Sequence, residues 1–399
     1  MVEKPSALVG IRVVDFSHVF QGPVGTQLLA DFGADVIKVE RPGSGDWSRS
    51  WGPYVDGVSL PFANLNRNKR SLALDLRSPV GKEIVHKLIA TADVLVHNFR
   101  PGVMEKLGLG YDDLKRPYPR LIYARSSGWG DEGPYVERSR GGHDMVARAY
   151  AGWFEPLGPD GLPVPAGMSA DYPAGLLLMQ GILIALIARE RTGYGQLVST
   201  DLLSAAFHAH VWDGATALNK ERAQGGGGIA VTEQVIRKSF RTKDRFIELS
   251  PVFSSDALRD ISMALGIGDL SQDERFATDE GRLARAQEIN AVLAERFLEK
   301  TTAEWIAILE PAGILCAEIN TFEEATQDPQ VLANGMVVEM EHRTVGTLRL
   351  FGTPVRLYGT PARLRMPPPD LGEHSAEVLA ELGYSQAEIA ELKRQAVIG

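Results

Sequence analysis

Short runs of valine, isoleucine and leucine recur through the first 200 residues, separated by segments such as 25–33 and 80–92 in which apolar residues have a helical spacing. Runs that are apolar at nearly every position are typical of strands covered on both faces, as in a parallel sheet flanked by helices. The pattern therefore predicts an α/β fold with a Rossmann-like parallel sheet. The predicted strands are 11–17, 34–40, 71–76, 93–99, 120–128 and 195–202.

A glycine run, Gly225, Gly226, Gly227 and Gly228, interrupts this alternation and is typical of a hinge or flexible loop. After it, the pattern predicts a hairpin over 239–252 and helices that include 281–300. We therefore expect a large α/β domain over 1–225, ending with a linker helix, and a smaller α+β domain over 226–325. A C-terminal segment, 326–399, returns to the large domain through strand-like and helical stretches.

A second apolar segment, Leu176–Ala188, follows a lone carboxylate at Asp171. Its 13 residues fall short of the roughly 20 that a membrane-spanning helix needs, so the pattern favours a buried core helix over a membrane partner. Asp171 itself has two interpretations. It is the N-cap of this helix, with Pro173 in the first turn, or a reactive carboxylate, or both.

Composition narrows the class of protein. Among 399 residues, 44% are hydrophobic and 23% are charged, as in an ordinary globular protein. The net charge of −9 argues against a nucleic-acid partner, so an anionic ligand would need a local basic pocket. A single cysteine, Cys316, and an N-terminus without a signal-peptide pattern favour a cytoplasmic protein. No spacing of His, Cys, Asp or Glu predicts a metal site.

The beginning of the chain also resembles a dinucleotide-binding unit, because a strand ends near Asp15 and the next ends on Glu40. The glycines between them, Gly22 and Gly25, flank Pro23 and do not form G-x-G-x-x-G. Without this pattern the phosphate-binding turn is not predicted. The topology is therefore expected without a bound nicotinamide cofactor.

Eight stretches together resemble the class III CoA-transferases, the CaiB/BaiF family that includes formyl-CoA transferase and carnitine CoA-transferase. They occur in the family's order and extend over nearly the whole chain. The stretches are "GIRVVDFSHVFQGP" (10–23), "GADVIKVERPGSGD" (33–46), "NRNKRSLALDL" (66–76), "NFRPGVMEKLGL" (98–109), "SGWGDEGPY" (127–135), "ADYPAG" (170–175), "ERTGYGQ" (190–196) and "LGEHSAEVLAELG" (371–383).

This resemblance implies an interlocked, ring-like homodimer and a catalytic role for Asp171. In the family the matching carboxylate attacks an acyl-CoA thioester to give an aspartyl anhydride. CoA then forms an aspartyl-CoA thioester, from which a small carboxylic acid collects it. Coenzyme A is thus a substrate and no permanently bound cofactor is implied. The chemistry suits the residue, because an aspartate is ionised at pH 7 and needs no base to become a nucleophile.

The resemblance also implies a CoA site, with Lys106 where many relatives have arginine. Lys69 and Arg70 are either part of the same basic pocket or solvated surface charges. The glycine run is either a linker or a lid that shields the reactive anhydride from water. The implied CoA contacts are His18, Val19, Phe20, Gln21, Arg41, Leu74, Asp75, Leu76, Arg77, Asn98, Phe99, Arg100 and Lys106.

An alternative function comes from "GGHDMV" (141–146), which resembles a stretch of the α-methylacyl-CoA racemases of the same superfamily. There a histidine and an aspartate move a proton at the substrate's α-carbon, a role open to His143 with Asp171. His143 and Asp144 are otherwise CoA contacts. The transferase-like insert over 45–70 favours the transferase. A CoA-binding regulatory protein without catalysis is a third possibility, against which the intact Asp171 argues.

Overall fold

The computed structural model describes residues 5–155, 162–222, 232, 234–251 and 254–399. The chain divides into two compact units. The first combines Met1–Ala215 with Leu332–Gly399, and the second is Thr216–Val331. The second unit thus extends beyond the range 226–325 at both ends, from Thr216 to Val331.

Strands and helices alternate along the described chain. The strands are β1 (Arg12–Asp15), β2 (Asp35–Glu40), β3 (Tyr54–Val55), β4 (Val58–Ser59), β5 (Lys69–Ala73), β6 (Val94–His97), β7 (Ile122–Ser127), β8 (Phe154–Glu155), β9 (Val164–Pro165), β10 (Leu197–Asp201), β11 (Ser239–Arg241), β12 (Phe246–Ser250), β13 (Leu315–Glu318), β14 (Val337–His342) and β15 (Gly346–Phe351). The helices are α1 (Gln21–Asp31), α2 (Leu60–Asn66), α3 (Pro79–Ala90), α4 (Val103–Leu107), α5 (Tyr111–Leu114), α6 (Pro134–Glu137), α7 (Asp144–Tyr150), α8 (Asp171–Thr192), α9 (Leu202–Ala209), α10 (Val211–Leu218), α11 (Ala257–Ala264), α12 (Asp279–Ala284), α13 (Ala286–Phe297), α14 (Thr302–Leu309), α15 (Phe322–Ala325), α16 (Pro329–Ala333), α17 (Ser375–Glu381) and α18 (Gln386–Arg394).

The first unit is built on a six-stranded sheet with the order β10-β7-β6-β1-β2-β5, in which every pair of neighbours is parallel. The prediction of an α/β fold with a parallel sheet is confirmed. From β1 the chain moves outward through β2 to β5, then returns to β6 on the other side. The strand order therefore reverses between β1 and β6, and ligands of such sheets bind beside the carboxyl ends at this point.

Helices bury both faces of the sheet, which explains its nearly continuous apolar strands. Val14 and Ile37 face one cluster, which includes Leu88 of α3. Their neighbours Val13 and Val36 face the opposite cluster with residues of α1 and α8. Because side chains alternate along a strand, each strand of such a sheet needs apolar residues at successive positions.

Two glycines bring the beginnings of α1 and α8 into contact. A Cβ atom on Gly25 would lie 2.8 Å from the backbone oxygen of Gly175. A Cβ atom on Gly175 would lie 2.4 Å from the backbone oxygen of Gln21. Any larger residue at these positions would push the helices apart, so the glycines hold the first turn of α8 against the first turn of α1.

The long helix α8 is buried on one face only. Leu178 and Ile182 pack against the sheet, whereas Ile184 and Ile187 are 58% and 59% exposed. By length and composition α8 could cross a membrane, although only 28% of its most apolar window is buried and a single such helix is weak evidence. The predicted buried core helix is therefore only partly buried, because its outer apolar face is exposed among the described residues.

The C-terminal segment packs onto the first unit. Val378 and Leu379 of α17 belong to the same apolar cluster as Leu72 of β5. Leu74, which follows β5, forms an antiparallel bridge with Ile398. Strands β14 and β15 pair as an antiparallel hairpin in this segment. The end of the chain thus closes one edge of the region around β5.

The second unit contains the antiparallel sheet β11-β12-β13. Its first two strands confirm the hairpin predicted over 239–252. Ile247, Phe297 and Trp305 belong to the apolar cluster that the helices of this unit bury against the sheet. The predicted helical segment 281–300 is divided between α12 and α13.

Candidate active site

Asp171 is the first residue of α8, and Ala170 occupies the N-cap position without a capping side chain. The interpretation of Asp171 as an N-cap is therefore wrong. The side chain is half-buried and accepts a hydrogen bond at Oδ2 from Ser169 Oγ at 3.1 Å. Among the ion pairs of the described residues, none involves Asp171. The beginning of α8 thus presents a carboxylate without a bound cation.

A second carboxylate lies on the same serine. Asp144 Oδ1 accepts hydrogen bonds from Ser169 Oγ at 3.0 Å and from the backbone N–H of Ala170 at 2.5 Å. A hydroxyl has one proton, so Ser169 donates to Asp144 or to Asp171 but not to both at once. The serine therefore couples the two carboxylates.

Burial and the neighbouring Asp144 raise the pKa of Asp171 from its usual 3.8 to about 6. The hydrogen bond from Ser169 and the nearby His143 oppose this rise. At pH 7 the group is still mostly ionised, because this pH is about one unit above its pKa. A carboxylate that is poorly solvated yet ionised is a better nucleophile than one on the surface.

His143 and Asp144 begin α7, with His143 exposed at the N-cap position. Gly142, which precedes His143, lies against Gly128 at the end of β7. A Cβ atom on Gly128 would be only 2.4 Å from Gly142 Cα. Only glycines permit this approach, which fixes α7 beside the carboxyl end of the sheet. The structure thus brings His143, Asp144 and Asp171 together, as the spacing of "GHD" and "ADYP" implied.

The segment after β1 adopts a strained conformation. Val19 has a φ of 69°, which is rare for a β-branched residue. Its N–H donates to Asp46 Oδ1 at 3.1 Å, and the buried Lys38 donates to Ser17 O at 2.6 Å and pairs with Asp46 at 2.8 Å. Buried charges therefore hold this segment in a conformation that its own sequence disfavours.

Two of the predicted CoA contacts, His18 and Asn98, form hydrogen bonds with each other between the ends of β1 and β6, where the strand order reverses. Asn98 Oδ1 accepts from the N–H of His18, and Asn98 Nδ2 donates to the oxygen of His18, both at 2.8 Å. The His18 ring lies 5.3 Å from the ring of Phe99. Burial and Lys38 lower the pKa of His18, so its imidazole is neutral at pH 7. These residues form one wall beside the carboxyl ends of β1 and β6.

The first residue of α1 and the segment 98–100 both contact residues that lie at the end of β7 or between β7 and α7. Gln21 Nε2 donates to Ser127 O at the end of β7, at 3.1 Å. A Cβ atom on Gly141 would lie 3.3 Å from Arg100 Nη2, which places this guanidinium beside the segment that leads to His143. Phe20 is the N-cap of α1 and makes no capping side-chain hydrogen bond. Gln21 and Arg100 thus lie close to the segments that lead into α7.

The other predicted CoA contacts differ in what they can offer. Arg41, Arg100 and Lys106 are exposed cations beyond the carboxyl ends of β2 and β6. Leu74 is fully buried in the core, so only its backbone is available to a ligand. Leu76 is half-buried and packs against the same core as Leu74. Asp75 accepts hydrogen bonds from the Arg77 side chain and lies near Arg41.

Lys69 and Arg70 do not contribute to a basic pocket, nor are they surface charges. Lys69 Nζ is fully buried and contacts Asp15 at 3.1 Å, along with Thr26 and Asn66. The Arg70 guanidinium pairs with Asp35 at 2.7 Å and also with Glu377 and Glu381. Both expectations for these cations are wrong, because acids from distant parts of the chain compensate them.

Three further expectations concern other residues. The glycines Gly225, Gly226, Gly227 and Gly228 lie outside the described residues. Cys316 is half-buried in β13, and burial raises the pKa of its thiol, as for a cysteine that packs rather than reacts. Within the part of the chain that the structure describes, no group of three His, Cys, Asp or Glu residues could hold a metal.

Sequence reasoning missed three residues that shape this region: Lys38, Asp46 and Arg148. Lys38 and Asp46 pair across eight positions through a loop, and no local pattern shows this. Arg148 is four residues after Asp144 on α7, with Nη1 3.4 Å from Asp144 Oδ2. This i,i+4 spacing is a signal that the sequence does contain.

Comparison with known proteins defines the class. The model of CoA-transferase family III matches residues 8–375. The chain belongs to this family, and it is a class III CoA-transferase. It is 38% identical to an acyl-CoA transferase of Fusarium pseudograminearum (strain CS3096), covering 98% of this chain and 88% of that protein. It is 36% identical to the succinyl-CoA:glutarate CoA-transferase of Mus musculus, covering 98% and 90%.

A solved structure agrees with this assignment. A CaiB/BaiF family protein from Brucella suis has a TM-score of 0.81 and 34% sequence identity, covering 95% of this chain and 100% of that chain. The resemblance to the CaiB/BaiF family is therefore confirmed. The alternative of an epimerase using His143 and Asp171 is not favoured, because the relatives are named as CoA-transferases.

Proposed function

We propose that the protein moves CoA from an acyl-CoA thioester to a carboxylic acid through covalent intermediates on Asp171. The observation that carries this proposal is the state of that side chain. It is a half-buried carboxylate at the beginning of α8, with a raised pKa and without an ion pair among the described residues. A carboxylate whose charge were neutralised by lysine or arginine would be a weaker nucleophile.

The reaction begins when an Asp171 oxygen attacks the thioester carbonyl. The carbon–sulfur bond breaks, CoA leaves as a thiolate, and an aspartyl anhydride remains. The thiolate then attacks the Asp171 carbonyl, which releases the donor acid and leaves an aspartyl-CoA thioester. The acceptor carboxylate attacks this thioester, the carbon–sulfur bond breaks, and a second anhydride forms as the CoA thiolate leaves. The thiolate then attacks the acceptor-derived carbonyl of this anhydride. Acceptor-CoA leaves and the Asp171 carboxylate is restored, without consumption of water.

CoA is expected to bind beside the carboxyl ends of β1, β2 and β6. The exposed cations Arg41, Arg100 and Lys106 would provide charge for its phosphates, which the net charge of −9 does not. The wall of His18, Asn98 and Phe99 would receive the uncharged part of the molecule. Its thioester would then reach Asp171 past the beginning of α1, which Gly175 holds against α8.

For the acceptor, we infer short dicarboxylic acids. The succinyl-CoA:glutarate CoA-transferase of Mus musculus carries two such acids in its name, and its sequence similarity extends over almost the whole chain. Succinyl-CoA with glutarate is therefore the first donor and acceptor pair to assay. Shorter and longer dicarboxylates and monocarboxylates complete the panel.

We also propose that two copies of the chain form the interlocked homodimer that the family resemblance implies. Large apolar side chains are exposed on the outer face of α8, at Ile184 and Ile187, and also on α9, at Phe207, and on α10, at Trp212. Trp212 is 88% exposed, which is unusual for a tryptophan in a soluble monomer. A second copy would cover this apolar surface. Light scattering of the purified protein tests this, and a stable monomer at micromolar concentration would contradict it.

Trapping with hydroxylamine tests the chemistry. The protein is incubated with succinyl-CoA, treated with hydroxylamine and digested, and the peptides are analysed by mass spectrometry. An aspartyl hydroxamate is expected at Asp171 and is expected to be absent from Asp171→Asn. Asp279→Asn is the matched control, because Asp279 is also the first residue of a helix, α12, but lies in the second unit. Transfer by Asp171→Asn at the wild-type rate would refute the proposal.

A further inference from the structure

Arg148 is buried beneath the start of α8, with 7% of its surface exposed. Its Nη2 donates to the backbone oxygens of Ala166 at 2.7 Å and Gly167 at 3.2 Å. Its Nη1 lies 3.4 Å from Asp144 Oδ2. One guanidinium therefore holds the segment that leads to Asp171 and also the carboxylate beside it.

Asp144 connects this guanidinium to Asp171. Its Oδ2 faces Arg148, while its Oδ1 accepts hydrogen bonds from Ser169 and Ala170. Ser169 in turn contacts Asp171 Oδ2. A continuous path of polar contacts thus runs from Arg148 through Asp144 and Ser169 to the carboxylate of Asp171.

We propose that Arg148 is a positioning residue that acts on Asp171 through Asp144. The arginine compensates the charge of Asp144, so that Asp171 keeps its negative charge near neutral pH, and it fixes the backbone that carries Asp171. The inference rests on the proposed role of Asp171 as the nucleophile. It assigns to Arg148 no contact with substrate.

The charges near Asp171 make the direction of this effect clear. From α7, Asp144 raises and His143 lowers the pKa of Asp171. The elements packed against α8 also carry titratable groups among the described residues. Asp31 of α1 pairs with Arg67, and Arg125 of β7 pairs with Asp131. Asp201 of β10 caps α9, on which His208 also lies.

Loss of the Arg148 charge leaves Asp144 uncompensated beside Asp171. Asp144 and Asp171 cannot both ionise easily when no cation compensates them, so the higher of the two apparent pKa values of this pair must rise. Loss of the Asp144 charge has the opposite effect and lowers the pKa of Asp171. If Arg148 acts through Asp144, the arginine has little effect once Asp144 is neutral. These opposite signs distinguish a positioning role from a general structural one.

The test is a titration of the free protein. Aspartate labelled with carbon-13 at its side-chain carboxyl is incorporated, and the Asp171 signal is assigned by its loss in Asp171→Asn. The signal is followed against pH in wild type, Arg148→Gln, Arg148→Lys, Asp144→Asn and the double variant Asp144→Asn/Arg148→Gln. Arg189→Gln is the matched control, because Arg189 is equally buried and pairs with Asp93 at 2.8 Å near the other end of α8.

Arg148→Gln is expected to raise the Asp171 midpoint by about one pH unit and Asp144→Asn to lower it by about the same amount. Arg148→Lys and Arg189→Gln are expected to stay near the wild-type midpoint, and the double variant near that of Asp144→Asn. An unchanged midpoint in Arg148→Gln overturns the proposal. A full Arg148→Gln shift in the Asp144→Asn background does so as well. Should Arg148→Gln fail to fold, an unchanged midpoint in Asp144→Asn overturns it.

The titration needs no substrate, so it decides the role of Arg148 whether or not Asp171 forms an anhydride. The hydroxylamine experiment decides the function separately. In the active enzyme, the acid limb of the kcat/KM profile is expected to move with the titration midpoint of each variant. A loss of kcat in Arg148→Gln without movement of this limb would assign the residue a purely structural role.

Discussion

Two clusters of charge in the first unit differ in how they are balanced. The β1 cluster consists of Asp15, Lys38, Asp46 and Lys69, all fully buried, with Lys69 paired to Asp15 at 3.1 Å and Lys38 to Asp46 at 2.8 Å. It contains two acids and two lysines. Such a cluster fixes the local conformation of the chain, because each charge has a partner at a defined distance.

The α8 cluster consists of Asp144, Arg148, Ser169 and Asp171, with two acids and one arginine. The pKa values show the difference. Burial alone would raise the pKa of Asp15, but Lys69 and Lys38 outweigh it and bring it to about 2. Nothing outweighs burial at Asp171, whose pKa rises to about 6. The uncompensated carboxylate is thus the one proposed as the nucleophile.

The largest expected effect breaks the β1 cluster. Asp15→Asn leaves Lys69 as an unpaired buried cation, which costs about 3–5 kcal/mol of the free energy of unfolding. Denaturation with urea, followed by circular dichroism, measures this. Asp112→Asn is the control, because it removes an exposed pair with Lys115 and is expected to leave the stability nearly unchanged. Equal stability of the two variants would contradict the contrast between the clusters.

A smaller effect concerns the segment that the β1 cluster holds. Asp46→Asn leaves Lys38 without its acidic partner and loosens the backbone at Val19. We expect KM for the acyl-CoA to rise about tenfold while kcat changes less, which corresponds to about 1.4 kcal/mol of binding. Asp93→Asn, which removes a pair with Arg189 at the amino end of β6, serves as control. A kcat effect without a KM effect would show that this segment does not serve CoA binding.

The opposite sign is expected at the α8 cluster. Because folding raises the pKa of Asp171 from 3.8 to about 6, ionisation of this group begins to disfavour the folded state above pH 3.8, and the full penalty is present above about pH 6. Asp171→Asn removes the penalty, so it is expected to be more stable than wild type at pH 7 by about 1 kcal/mol. The advantage should fade as pH falls from about 6 towards about 3, where the wild-type group is mostly protonated in both states. Urea denaturation at both pH values measures this, and an advantage that grew at low pH would contradict the assignment.

The smallest effect tests the strain at Val19. Its φ of 69° suits glycine, whereas alanine and valine share the steric penalty. Val19→Gly is therefore expected to be more stable than Val19→Ala by about 0.5–1 kcal/mol, in contrast to the usual order of these residues. Thermal unfolding of the two variants gives the comparison. A more stable alanine variant would mean that the segment relaxes to a conventional conformation.

The sheet could be predicted from the sequence because burial on both faces leaves a local signal. Val13 and Val14 face opposite clusters, and the six apolar runs became the six parallel strands. The family resemblance directed attention to Asp171 and to the stretch around His18, which the glycine contact between α1 and α8 brings near each other. Here local patterns carried enough information.

The charge partners could not be predicted in the same way. Lys69 and Asp15 are far apart in the chain and meet only through the order of the parallel strands, so both interpretations of Lys69 failed. The exposure of the outer face of α8 could not be predicted either, because the sequence pattern does not distinguish exposed isoleucines from buried ones. Arg148 is the exception, since its spacing from Asp144 marked an ion pair on one helix.

The central claim is that Asp171 forms an anhydride with the acceptor, and the transfer of an oxygen atom tests it most directly. Glutarate labelled with oxygen-18 in its carboxylates is given to the enzyme with succinyl-CoA for a single turnover, and the peptide containing Asp171 is analysed by mass spectrometry. Attack of the labelled carboxylate on the aspartyl-CoA thioester predicts one oxygen-18 atom in Asp171 after CoA has left. Formation of glutaryl-CoA with an unlabelled Asp171 would contradict the account.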